Sequence, residues 1–159
     1  MTIPEPGTGR RRTMTRDELR VWRRFLETSE QLRNVVTGRL QDESGLSSGD
    51  YGVLLALSEQ PEKRMRSSQL AQHIGWERSR LSHHLGRMER RGLVQREPVA
   101  GDSRGAVVAL TTDGAQLFRA ASAPHLRVIH ETFVRALSAQ QLAALDDAMT
   151  ALAAHLPAR

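Results

Sequence analysis

The sequence predicts a mainly α-helical chain with one small β element. Three observations point there. Apolar residues recur at three- and four-residue spacing through most of residues 17–41 and 112–156. Capping boxes, a hydroxyl followed three residues on by a carboxylate or amide, stand at Thr15–Glu18 and Ser138–Gln141. Strand-like sequence is confined to Leu93–Arg96 and Ala106–Leu110.

Residues 1–14 carry Pro4, Pro6, Gly7, Gly9 and the run Arg10–Arg12, with no apolar period, and read as a disordered basic tail. A long helix is expected over 17–41, its stripe formed by Leu19, Trp22, Phe25/Leu26, Leu32/Val36 and Leu40. Gly45 closes that region. Ser47 and Asp50 suit the start of a second helix, which buries Tyr51, Leu54, Leu55 and Leu57 and runs to about Glu59. Gln60-Pro61-Glu62-Lys63 breaks the chain. A short helix capped by Ser67 or Ser68 reaches Ile74, Gly75 makes a turn, and another helix covers about 77–91. Gly92 is placed to stop it. Helix, glycine turn, helix is the helix-turn-helix outline. The two strands around the loop 99–105 then form a wing. Thr111 starts a helix expected over 112–136, with a kink or break near Pro124. In the last helix Leu142, Leu145, Met149, Leu152 and Leu156 are spaced by alternating threes and fours, a narrow seam for packing against another helix. The divisions are therefore 1–14 tail, 15–60 N-terminal helices, 61–111 winged helix-turn-helix lobe and 112–159 C-terminal helices.

Composition removes several function classes. The 159 residues include no cysteine, which excludes disulfides, a catalytic thiol and a thiolate metal site. No apolar run approaches the ~20 residues of a membrane span. The N-terminus lacks the apolar core of a signal peptide, so the cytoplasm is the expected location. Of 23 basic residues only Lys63 is lysine, and the formal charge is +5. Residues 61–105 hold ten basic and five acidic side chains, while 17–60 hold five and eight. The positive field is thus concentrated in the central block and the tail, the footprint of a polyanion binder. An Arg-rich composition without that meaning gives the same count. No phosphate-cradling glycine loop, nucleophile motif or paired carboxylate site is found, so no enzymatic activity and no cofactor is expected. Among the six histidines, His83 and His84 are adjacent and point ~100° apart on a helix, and His125 and His130 are five apart. Neither pair makes a metal-ligand face.

The segment Gly92-Leu93-Val94-x-Arg96, followed by Asp102-x-Arg104 and Leu110-Thr111-x-x-Gly114, resembles the MarR family of winged-helix transcription regulators. The resemblance extends over about residues 17–156. It implies a homodimer, with the N- and C-terminal helices forming the dimerisation domain, that binds pseudo-palindromic double-stranded DNA operators. It also implies a small aromatic or phenolic effector that weakens DNA binding. Many relatives carry a basic residue where Ser103 stands, which removes one phosphate contact here. The branch that senses oxidants through an N-terminal cysteine is excluded.

On a helical wheel Leu81, Leu85 and Met88 face inward, while Ser79, His83 and Arg90 point away and Arg80 and Arg87 flank them. Arg78, Ser79, Arg80, Ser82 and His83, near the start of the second helix of the motif, are the base-reading candidates, with Arg87 and Arg90 toward phosphates. A merely solvated polar face is the alternative. In the wing, Arg104 is the minor-groove probe, with Asp102 orienting its guanidinium. An ordinary turn with a mobile Arg competes with that reading. For an effector, Trp22, Phe25 and Tyr51 are candidate lining residues and Arg23 a carboxylate partner; plain core packing of Trp22 is the competing reading. The function expected is a dimeric, sequence-specific regulator, a repressor. The alternative is an architectural protein that binds DNA without sequence preference.

Overall fold

The computed structural model describes residues 13–99 and 101–157, with the side chains of residues 102–104 outside the description. Six helices, α1 (Arg16–Ser44), α2 (Ser48–Ser58), α3 (Ser67–Ile74), α4 (Arg78–Arg90), α5 (Thr112–Thr132) and α6 (Ala139–His155), surround a three-stranded sheet of β1 (Arg64–Arg66), β2 (Val94–Val99) and β3 (Asp102–Leu110). Four of the five helix caps read from sequence form. Thr15, Ser47 and Ser138 each accept from the backbone N–H three residues on, and the residue there reaches back to the cap's own N–H. Thr111 caps α5 through the Gly114 N–H.

The HTH is α3, a Gly75 turn, and α4. At the end of α4, Gly92 takes φ 72°. Its N–H donates to the Glu89 carbonyl and the Leu93 N–H to the Met88 carbonyl. This is the paired closure that a left-handed residue allows, and glycine adopts that conformation without a Cβ clash. The chain is thereby turned directly into β2.

The sheet order is β1-β3-β2, all antiparallel. Pro98 lies on an edge strand beside a register shift at Pro98/Val99, where a missing N–H is tolerated. One core holds the lobe together: Val53, Leu54 and Leu57 of α2, Leu70 of α3, Leu81, Leu85 and Met88 of α4, and Val94 and Val108 of the sheet are buried.

Five expectations change. Leu55, expected on the buried face of α2, is exposed, because it lies outside the stripe of Val53, Leu54, Ala56 and Leu57 that α2 buries. β1 has no signature in the sequence, because three residues with only Met65 half-buried carry little pattern. Neither Ser67 nor Ser68 caps α3; the cap position is Arg66, which still pairs with Val107 as a strand residue, so the chain enters the helix at Ser67 without a side-chain cap. The wing strands extend to Val99 and from Asp102, leaving a much shorter loop than 99–105. α5 runs without a break through Pro124 and stops at Thr132, with a single 3₁₀ turn over Val134–Ala136.

α1 and α6 contrast with this core. Leu40 is the one buried residue of α1, and α6 has none. Trp22, Phe25 and Leu26 are 50%, 40% and 46% exposed, so the stripe of the long first helix is not core within a single chain. Apolar surface of this extent marks an interaction face.

Candidate nucleic-acid interface

α4 lies with Leu81, Leu85 and Met88 in the core, which turns its opposite side outward. All seven candidates on this helix, Arg78, Ser79, Arg80, Ser82, His83, Arg87 and Arg90, are exposed. Beside them runs an open groove of about 800 Å³, bounded by Ser67 and Ser68 at the start of α3, by Arg78 and Ser82, and by Arg96 on the wing. The serines of α3 and Arg96 were not among the sequence-derived candidates. Arg96 stood within the motif that carried the family resemblance, and its spacing after Gly92 was the available signal. Asp102 and Arg104 begin β3, but their side chains lie outside the described residues, as does the Arg10–Arg12 run.

The wing is tied to α4 by one carboxylate. Glu89 accepts from the Arg96 Nε at 2.9 Å, its Nη2 at 2.7 Å and its backbone N–H at 2.9 Å. Both guanidinium nitrogens converge on Oε2 while the backbone N–H takes Oε1, so the two charge-assisted bonds and the backbone bond together fix the carboxylate's direction. These hydrogen bonds, the side-chain ones first, hold the Glu89 carboxyl below its ordinary pKa. Across the sheet Arg64 of β1 pairs with Glu97 of β2.

Two cations of the exposed face are held from beneath. The Arg80 guanidinium lies 4.2 Å above the Trp76 ring, a cation–π contact. Arg87 donates from Nη2 to the Nδ1 of His84 at 2.8 Å. His84, unlike His83, points inward and is buried. Its Nε2 is 3.0 Å from Oδ1 of Asp50, but off the line of an N–H hydrogen bond, so the contact is chiefly electrostatic. The other Asp50 oxygen takes the Arg91 Nη1 at 2.7 Å and the Ser47 N–H at 3.0 Å.

The effector candidates do not converge. Tyr51 packs at a tilt against Phe118 and His125, with centroids at 5.2 and 4.5 Å, and its hydroxyl is 3.5 Å from Ser122 Oγ. Phe25, with Trp22 beside it at 6.2 Å, belongs instead to the apolar groove between α1 and the end of α5. Arg23 sits with Arg16, Arg20 and Arg24 on the first turns of α1. The first turns of the 29-residue α1 lie far along the helix from Leu40, where the Tyr51–His125 region begins. Next to His125 is a cavity of about 90 Å³ lined by Leu40, Leu117, Ala121 and Val128.

Burial governs the ionisation of both inward histidines. It lowers the His125 pKa, and His125 Nδ1 is buried with no hydrogen-bond partner among the described residues. For His84 burial is again the largest influence; Asp50 opposes it, and the Arg87 charge reinforces it, leaving the pKa lowered. For Asp50 burial alone would raise the pKa, but the Arg91 and Ser47 hydrogen bonds and the Arg91 charge outweigh it. All three shifts act in the same direction on stability. The unfolded chain binds protons at the histidines near 6.5, above the folded pKa values, so stability rises with pH through that window. The melting temperature is therefore expected to be level above about pH 7 and to fall below 6.5, with a further loss from Asp50 below its ordinary 3.8. A His125→Phe variant, which keeps a ring on Tyr51, should show a shallower fall between pH 7 and 5. Equal slopes in the two proteins would remove His125 from this account.

No helix among the described residues is long and apolar enough to cross a membrane, and no group of three His, Asp or Glu among them is placed to hold a metal ion. Comparison with known proteins places the chain among transcription factors. A model of the MarR family matches residues 44–105. The transcriptional regulator HosA of Escherichia coli O157:H7 is 34% identical over 112 residues, covering 70% of this chain and 81% of the relative. Among solved structures, AbsC of Streptomyces coelicolor, a MarR family transcriptional regulator, superposes with a TM-score of 0.83 at 36% identity over 91% of this chain and 97% of that one. Sco3205 of the same organism, a MarR family regulator solved in complex with DNA, gives a TM-score of 0.85 at 32% identity over 92% of each chain.

Proposed function

This chain belongs to the MarR family of transcriptional regulators, a family of DNA-binding proteins and not of enzymes, and we propose that it acts in the cytoplasm as a homodimeric repressor of a pseudo-palindromic operator. One observation carries the proposal. The seven polar side chains of α4 chosen from sequence stand exposed together on one helix, beside a groove walled by a wing. A helix presented in this way enters the major groove, where Arg reads guanine O6 and N7. In the proposed division, residues 61–111 are the DNA-binding lobe and residues 15–60 and 112–159 are the dimerising parts. That the relative Sco3205 was solved in complex with DNA supports a DNA-contacting role for this chain.

Release by a small aromatic or phenolic effector belongs to the proposal through the Tyr51–Phe118–His125 cluster. The adjoining 90 Å³ cavity is well below the ~300–1,000 Å³ of a typical ligand pocket. An effector there must part α1 from α5, and it shifts the equilibrium only by its preference for the parted state.

The test is selection of duplexes from a random-sequence pool, followed by affinity measurement at several salt concentrations. An enriched inverted repeat with half-sites about one helical turn apart, bound ~10³-fold or more above random DNA, is the expected result. No enrichment, with a steep salt slope on every duplex, would instead establish an architectural, sequence-indifferent binder. Arg80→Ala should cost about 1–3 kcal/mol on the selected site and much less on random DNA. Equal losses on both would remove Arg80 from base reading.

A further inference from the structure

We propose that His84 is a positioning residue for DNA recognition: its buried imidazole holds the guanidinium of Arg87 directly, braces the Trp76 ring on which Arg80 rests, and faces Asp50 at the start of α2. The inference rests on the reading of α4 as the DNA-contacting helix.

His84 lies three residues after Leu81 and four before Met88, on the inner stripe of α4. An aliphatic side chain suits that stripe, and the imidazole there meets a different partner on each side. Nδ1 takes the Arg87 hydrogen bond at 2.8 Å. The ring stands edge-on to Trp76, with centroids 5.0 Å apart and planes at 84°, and the Arg80 guanidinium rests over the same indole. Nε2 faces Asp50 at 3.0 Å. Asp50 is itself fixed by the Ser47 N–H and by Arg91, whose Nη2 donates to the Gly45 carbonyl at 2.9 Å. The first turn of α2 is also pressed close to both rings: a Cβ on Gly49 would come within 2.7 Å of Trp76 and 2.9 Å of His84. A long side chain that must meet DNA in one orientation loses less freedom on binding when it is already held.

The arrangement requires a neutral ring. Nδ1 accepts from Arg87 only while it carries no proton, so the proton of the neutral form sits on Nε2, toward Asp50. The charged groups around the ring are Asp50 from α2, Arg80 and Arg87 from α4, and Arg91 across the Asp50 carboxylate. Protonation would turn the acceptor into a donor and set the ring against Arg87, while drawing it toward Asp50. The guanidinium would then be released from beneath.

The test uses the full-length protein and the duplex that it selects from a random pool, at pH 8. Four variants are compared: His84→Leu, His84→Gln, Arg87→Ala and the double variant His84→Leu/Arg87→Ala. Leucine fills the site without an acceptor. Glutamine can accept from Arg87 and donate to Asp50. His84→Leu is expected to weaken operator binding about tenfold, within the range for losing one oriented Arg contact. His84→Gln should stay within about threefold of the wild type. In the Arg87→Ala background the leucine substitution should cost markedly less than it does alone, since the two changes remove parts of one device. Between pH 7 and 5 the wild type should lose more affinity than His84→Gln, which has no imidazole at this position. This comparison holds even where the leucine variant folds poorly. Full additivity of His84→Leu and Arg87→Ala, or identical pH profiles for the wild type and His84→Gln, would overturn the proposal. Unchanged DNA binding by both Arg87→Ala and Arg80→Ala is a separate outcome, which sinks the reading of α4 on which it rests.

Discussion

Gly114→Ala is expected to destabilise the protein by about 3 kcal/mol or more, at the upper end of what overpacking costs. In a chain of this size that corresponds to a loss of roughly 6–12 °C in melting temperature. Gly114 is buried in the first turn of α5. A Cβ there would lie 2.0 Å from the Leu93 carbonyl oxygen and 2.9 Å from its carbon. Neither side can give way cheaply. The Leu93 carbonyl accepts from the Thr111 N–H at 3.3 Å and the Thr111 hydroxyl at 3.0 Å, and the Leu93 N–H is bonded to Met88. The Gly114 N–H is held by the same Thr111 hydroxyl at 2.9 Å. Any relief moves the root of the wing away from α5, so operator affinity should fall even in molecules that remain folded. Gly52 provides the control. It lies in α2 with open space around its missing Cβ, and Gly52→Ala should raise stability by about 0.4–1 kcal/mol. A thermal melt of the two variants decides. A Gly114→Ala protein that melts with the wild type would mean that this approach is not as close in solution.

What the sequence could reveal depended on how local the cause was. The Gly114 position was readable as part of Leu110-Thr111-x-x-Gly114, and the four helix starts with side-chain caps were readable because a cap and its partner lie within three residues. The glycine turns at Gly75 and Gly92 were readable for the same reason. β1 was not, because it exists through pairing with β3 more than forty residues away, for instance Met65 with Val108. The exposed face of α4 followed from helical periodicity. The inner partner of that face did not, although the position of His84 between Leu81 and Met88 marked it as inward. Its anchors are Asp50, thirty-four residues earlier, and Trp76, in the turn before the helix, and no spacing rule connects them. The grouping of Trp22, Arg23 and Phe25 with Tyr51 failed to converge for the opposite reason. Aromatic character says that a side chain seeks cover but not which element covers it, and on α1 the cover for Trp22 and Phe25 is absent from the single chain.

That uncovered face sets the second large effect: removing residues 138–159 should abolish dimerisation and, with it, some 10²–10⁴-fold of operator affinity, the gain normally given by linking two binding units. A groove of about 890 Å³ between α1, the end of α5 and α6 is lined by Val21, Phe25, Val35, Phe133, Leu145 and Met149. Farther along α6, Leu152 and Leu156 are 49% and 65% exposed. The alternating spacing of the α6 seam is suited to packing on another helix, and no residue of α6 is buried within its own chain. A second copy laid against α1 and α6 would cover both stripes and fix the separation of the two α4 helices at about 34 Å, one turn of DNA. Because truncation also uncovers Phe133 and Leu137, a gentler variant is needed beside it. Leu152→Glu/Leu156→Glu places carboxylates on the exposed seam and leaves the lobe around Leu54, Leu85 and Val108 untouched. Its helix content should match the wild type, its mass in solution should halve, and its operator affinity should fall toward that of a single half-site. A monomeric variant that binds the operator as tightly as the wild type would show that spacing between two lobes is not what this protein uses to recognise its site.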